Sequence, residues 1–154
     1  MKTKKPTLLT LNEVKASYNP SYCPKIKVTN IETGVNAART IYQILEAEIE
    51  LREYFILMFL NRSNIISSYY LLSIGGINGT IADIRLAFGI ALKCLANAII
   101  IIHNHPSGNL QPSDADLKLT NKFKEAGILL EIPILDHIIL TKESYFSFEE
   151  HGLL

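Results

Sequence analysis

Apolar positions change period several times along this chain, and each change marks a new element. Lys25-Ile26-Lys27-Val28 alternates polar and apolar, which predicts a short edge strand. From about Gly34 to Leu51 the period lengthens. Ala37, Ile41, Ile44, Leu45 and Leu51 fall at helical spacing and predict an amphipathic helix. Arg52 to Leu60 returns to alternation, with Glu53, Phe55, Leu57 and Phe59 on one face. The polar stretch Asn61-Arg62-Ser63-Asn64 predicts a hairpin connection, and Ile65 to Ser73 the returning strand. Gly75, Gly76 and Gly79 predict a loop with positive φ. Thr80 is the expected N-cap of a helix over 81–95, packing Ile84, Phe88, Ala91, Leu92 and Leu95 inward. Ala98 to Ile102 is a continuous apolar run, the pattern of a strand covered on both faces.

Pro112-Ser113 then predicts a helix start, with Leu117, Leu119, Phe123 and Ala126 on its apolar face and Gly127 as its stop. Ile128 to Leu135 and His137 to Thr141 read as two short strands, and Ser144 to Gly152 as a short terminal helix or turn. Residues 1–22 lack periodicity and read as a loose arm before one domain over 23–154. Helices alternating with strands predict an α/β fold, a mixed β-sheet flanked by helices.

Charge and composition narrow the function. Fifteen basic residues balance fifteen acidic ones. That argues weakly against duplex DNA as the main partner and permits self-association into a homo-oligomer. Cys23 and Cys94 make no disulfide framework. Cys94 lies in an apolar helical stretch and reads as core, so a reduced, cytoplasmic setting is expected. No signal peptide is evident, and Lys93 and Asn97 interrupt the most apolar region before it reaches membrane-span length.

The chemistry concentrates in His103 to Asp116, HNHPSGNLQPSDAD. Buried strands in α/β sheets end at ligand crevices. Residues i and i+2 of a strand point the same way, so His103 and His105 face one side and Asn104 the other. Pro106 and Gly108 break the strand. Asp116 falls in the first turn of the next helix, where its carboxylate can return toward the imidazoles. Two nitrogens and one oxygen leave a fourth tetrahedral position open, as catalytic zinc sites do. Ser113-x-x-Asp116 also fits a capping box, which orders a helix start without any chemistry; the two readings can coexist.

His103-Asn104-His105-Pro106-Ser107-Gly108, followed by Pro112-Ser113 and Asp116, resembles the RadC branch of the JAMM metalloprotease superfamily. That motif is an upstream Glu, then His-x-His, seven residues, Ser, two residues and Asp; here Pro106 to Pro112 supply the seven. The similarity runs from about Glu53 through SIGGINGT and LDHIIL to SFEEHGLL. It implies the JAMM-type, cytidine-deaminase-like α/β sandwich, with zinc held by His103, His105 and Asp116. It further implies Glu53 as general base and Ser113 as hydrogen-bond donor to the developing oxyanion. Asn104, as in RadC, separates the chain from the eukaryotic isopeptidases of the superfamily, which have Ser or Thr there. Full-length RadC proteins commonly carry an N-terminal helical, DNA-binding-like region; this chain is expected to be a short form without it, which weakens a direct role in DNA repair. Adjacency of the three residues His103, Asn104 and His105 also separates it from HNH nucleases, in which they are spread over a strand pair and a helix.

Asp136-His137 belongs to the same resemblance. A satisfied core histidine and a support behind the metal ligands are both open readings for His137, and His151 reads as a surface residue. Three functions therefore stand: a zinc hydrolase cleaving an amide bond in a peptide or protein; a DNA-repair-associated or mobile-element protein whose metal domain binds partners without proteolysis, DNA association being weak; and a non-catalytic metal domain.

Overall fold

The computed structural model describes residues 25–76 and 81–154. Three helices and five strands alternate in it: α1 (Ile31–Ile44), β1 (Tyr54–Leu60), β2 (Ile66–Ile74), α2 (Ile84–Lys93), β3 (Ala98–Asn104), α3 (Asp114–Leu129), β4 (Ile134–Leu140) and β5 (Tyr145–Ser147). One sheet runs in the order β2-β1-β3-β4-β5. The β3–β4 pair is parallel and the other neighbours are antiparallel, so the sheet is mixed, as expected. The parallel pair follows from α3, which crosses over between its strands.

Every residue of β1 and β3 is buried because helices cover both faces of the sheet. Tyr54, Ile56, Met58 and Leu60 pack with Ile100 and Ile102 against Val35, Ala38 and Ile41 of α1. Phe55, Leu57 and Phe59 pack with Ile99 and Ile101 against Phe88 of α2 and Phe123 of α3. Each such large apolar side chain contributes about 1.5–3 kcal/mol on full burial. The central strands are therefore buried along their whole length, and the histidines stand at the end of one of them. Cys94 is buried, as expected, and Cys23 lies outside the described residues.

Several boundaries differ from the periodicity reading, each for a local reason. The α1 helix begins at Ile31, because Asn30 and Thr33 form a reciprocal cap. It ends at Ile44 instead of Leu51, and Glu46 takes a positive φ of 48° just beyond it. The expected edge strand at Lys25–Val28 is reduced to one bridge, Lys27 to Ile65. Thr80 and Gly79 fall outside the described residues. Asp83 caps α2, accepting from the Arg85 and Leu86 N–H groups, so the helix starts at Ile84. Leu92 and Leu95, expected inside, are exposed; Leu95 adopts a φ of 55° and leads the chain away. Gly76 does not use positive φ, which among described glycines occurs at Gly108 and Gly152.

Gly127 is not a stop. It lies inside α3, which continues to Leu129, so Ile128 is helical and the two expected strands are the single strand β4 with Asp136 inside it. The Gly127 carbonyl accepts from the Ile132 N–H at 2.9 Å as the chain folds back under the helix. The C-terminal stretch forms strand β5 before its turns.

A Cβ at Gly127 would lie 2.5 Å from the Ile132 carbonyl oxygen, a backbone atom that cannot step aside. Gly127→Ala is expected to destabilise the fold by about 1–3 kcal/mol in urea unfolding. Gly89, exposed in the middle of α2, meets nothing within 4 Å. Gly89→Ala should raise stability by about 0.5–1 kcal/mol in the same assay.

Candidate metal centre

The site forms where β3 ends. His103 pairs with Ile139 of β4 and Phe55 of β1, and the His105 N–H continues the ladder to the Leu140 carbonyl at 3.2 Å. The two histidine side chains share the face covered by α3, and Asn104 points to the α1 face, as the alternation predicts. Gly108 (φ 77°) turns the chain sharply after Pro106. That turn brings the Asn109 carbonyl to 2.6 Å from His105 Nδ1. A carbonyl only accepts, so the proton sits on Nδ1 and the neutral ring presents a bare Nε2.

Asp116 arrives from α3. Ser113 is the N-cap: its Oγ accepts from the Asp116 N–H at 3.1 Å, while its own N–H and O–H donate to Asp116 Oδ2 at 2.7 and 2.6 Å. The capping-box reading is therefore correct, and it serves the site. With Oδ2 bound twice by Ser113, the carboxylate is held facing the imidazoles, Oδ1 3.3 Å from His103 Nε2 and Oδ2 3.5 Å from His105 Nε2. The two Nε2 atoms are 2.9 Å apart.

These separations test the fit of a cation. Four ligands at zinc distances of 2.0–2.1 Å span tetrahedral edges of about 3.3 Å. The two Nε2 atoms, at 2.9 Å, are near that edge, and each lies 3.3–3.5 Å from a different oxygen of Asp116. Taking one donor atom from each residue, all three lie within 4.8 Å of one another, close enough to share one ion. His103, His105 and Asp116 are the residues that can hold a metal ion among those described. The donor set is borderline to hard, which suits zinc better than calcium or magnesium.

Electrostatics agree with the geometry. Burial opposes the charge on Asp116, but its contacts with His103, His105 and Ser113 hold the carboxyl far below the usual carboxylate range. The Asp116 carboxylate beside His105 raises that imidazole above its ordinary value, against its partial burial, and the charge of Glu53 adds to the effect. Both shifts mark a pocket that favours positive charge.

Behind Asn104 lies a second polar cluster. Its side-chain oxygen accepts from the Tyr54 N–H at 2.8 Å and the Tyr42 hydroxyl at 3.1 Å; its amide donates to the Ile49 and Arg52 carbonyls, each at 2.8 Å. All four of its hydrogen-bonding valences are used. The carbonyls it holds belong to the segment that delivers Glu53 to the start of β1. Continuing the register of Phe55 with His103, Glu53 comes opposite His105. Glu53 is half-buried and lines an open cleft of about 910 Å³ together with His105, Ser107, Gln111, Ser113 and Asp116. The structure thus gathers all five residues singled out from the sequence at one end of the sheet.

Two further residues meet there. His137, fully buried on β4, reaches His103, and Thr120 of α3 reaches His137. Burial, with His103 adding to it, holds the His137 imidazole well below its ordinary value, so it is neutral. Sequence reasoning weighed His137 but missed Thr120, whose signal was its place one helical turn beyond Asp116. Asp136 faces elsewhere. It accepts from the His137 and Glu149 N–H groups and the Ser147 hydroxyl, pinning the C-terminal segment, and burial raises its carboxyl. His151 is exposed, stacked on Phe146.

No described helix is long and apolar enough to cross a membrane. Among proteins of similar sequence, one named UPF0758 protein from Flavobacterium johnsoniae is 46% identical over 121 residues, covering 79% of this chain and 52% of the relative. Another of that name, from Haemophilus ducreyi, is 46% identical over 110 residues, 71% of this chain and 49% of the relative. A third, from Chlorobaculum parvum, is 36% identical over 127 residues, 81% of this chain and 57% of the relative. The chain thus spans about half the length of the curated relatives it matches. The family model described as "RadC-like JAB domain" matches residues 35–153, which takes in every residue of the site. With the mixed-sheet sandwich and the His-His-Asp cluster in place, the chain belongs to the RadC-like JAB domain family.

Proposed function

We propose that this chain is a zinc-dependent hydrolase that cleaves an amide bond, peptide or isopeptide, in a protein or peptide substrate. The observation that carries the reading is the meeting of three donor residues, close enough to share one ion, at an open cleft that Glu53 lines together with His105 and Asp116. A zinc ion held by His103, His105 and Asp116 would supply a water acidified toward about pH 7 and a Lewis acid for a carbonyl oxygen.

The protein's own groups do the rest. Glu53, reaching the cleft from the strand beside His105, accepts the proton of the attacking water and returns it to the departing amine. Asn104 positions that carboxylate through the backbone on either side of it. Ser113 Oγ lines the same cleft, and its hydroxyl proton turns from Asp116 Oδ2 to the developing oxyanion. An open cleft suits an extended chain passing through, and its apolar rim, Leu51 and Ile81, is exposed for side-chain contact. No Lys or Arg occurs among the described residues lining it, whereas a phosphate backbone is held mainly by those residues. A proteolytic substrate is therefore favoured over nucleic acid.

Metal analysis of the purified protein should give about one zinc per chain, and His105→Ala should abolish the binding. Glu53→Gln should keep the zinc and lose hydrolysis in a proteomic cleavage screen against the wild type; equal cleavage by both proteins would remove Glu53 as the base. Asn104→Asp, which leaves the Ile49 and Arg52 carbonyls without their donor, should cost about 1–3 kcal/mol in urea unfolding.

A further inference from the structure

Behind His103 runs a chain of three buried hydrogen bonds that ends on the backbone of the third candidate ligand. Thr120 Oγ1 lies 2.6 Å from the Asp116 carbonyl oxygen and 2.6 Å from His137 Nδ1. His137 Nε2 lies 2.7 Å from His103 Nδ1. Thr120 is 2% exposed and both rings are 0% exposed, so water does not compete. Phe148 stacks on the His137 ring at 4.6 Å, and Phe55 meets it edge-on at 5.9 Å, which fixes the ring plane.

Proton counting along this chain has one solution for neutral rings. The Asp116 carbonyl only accepts, so the single hydroxyl proton of Thr120 goes to it. Thr120 Oγ1 can then only accept from His137, whose proton must sit on Nδ1. A neutral His137 so protonated has a bare Nε2, which accepts from His103. The His103 proton is thereby placed on Nδ1, and its Nε2, which faces His105 and Asp116, is left as a lone pair.

We propose that Thr120 and His137 are positioning residues that set the tautomer of His103, handing its Nε2 to the metal as a bare donor. Ligand histidines ordinarily donate their second N–H to a carboxylate, a carbonyl or water. Here a second imidazole takes that place, itself oriented by a hydroxyl on the helix that carries Asp116. The strand ligand and the helix ligand are thus joined through the protein interior as well as through the cation. This inference rests on the zinc-site reading for its purpose but not for its first readout.

The test uses the full chain. Long-range ¹H–¹⁵N correlation spectra of the metal-free protein report which ring nitrogen of His103 and His137 carries the proton. Nδ1–H on both rings is expected in the wild type and in Thr120→Ser, with a mixture of tautomers at both rings in Thr120→Val. Zinc titration against a chromophoric chelator should then show Thr120→Val binding about 10–100-fold more weakly than the wild type, with Thr120→Ser close to the wild type. Circular dichroism of each metal-free variant confirms that it is folded. A wild-type His103 protonated on Nε2 would overturn the inference, as would a folded Thr120→Val that binds zinc as tightly as the wild type. Should the Nδ1–H pattern appear in a protein that does not bind zinc, the tautomer assignment stands and the hydrolase reading alone falls.

Discussion

Two imidazole nitrogens and a carboxylate crowded to within 3.5 Å of one another repel unless positive charge lies among them. Much of the polar interior of this fold holds them there regardless. Ser113 grips one oxygen of Asp116 with two donors, the Asn109 carbonyl orients His105, and His137 orients His103. Each of these contacts has a local structural use, as a helix cap, a turn or a core bond. Their combined effect is a cluster of donors that favours positive charge and that a single metal ion can engage at once.

The sheet makes that crowding tolerable. With helices on both faces, the central strands β1 and β3 are buried throughout, and the histidines extend from the better anchored of the sheet's parallel strands. The strand end that carries the site is continuous with two buried apolar clusters, one on each face of the sheet. The crossover from β3 through α3 to β4 then returns the chain so that the start of α3 overhangs the end of β3. Asp116 and His103 meet because the same connection that makes the β3–β4 pair parallel places a helix N-terminus above the strand's C-terminal end.

How much of this was legible in the sequence depended on the distance over which each feature is specified. The alternation of His103, Asn104 and His105 and the return of Asp116 across a Pro and Gly turn are local, and they read correctly. Glu53 was legible as a candidate because a carboxylate just before the apolar strand β1 stands out, and the structure places it at the cleft beside His105. The ends of α1 and α2 did not, since Asn30 and Asp83 cap through contacts that periodicity does not see. Gly127 misled because the reason for a glycine there is the Ile132 carbonyl beneath it, not a helix end. Thr120 carries no pattern of its own; its part emerges only when α3 lies against β4.

The central claim is that His103, His105 and Asp116 grip one cation and leave it a face open to water. Zinc K-edge X-ray absorption on the metal-loaded protein measures this directly. The account predicts four nitrogen or oxygen neighbours at about 2.0–2.1 Å, with outer-shell scattering from two imidazole rings. A sulfur neighbour, a six-coordinate shell or the signature of a single imidazole would contradict it.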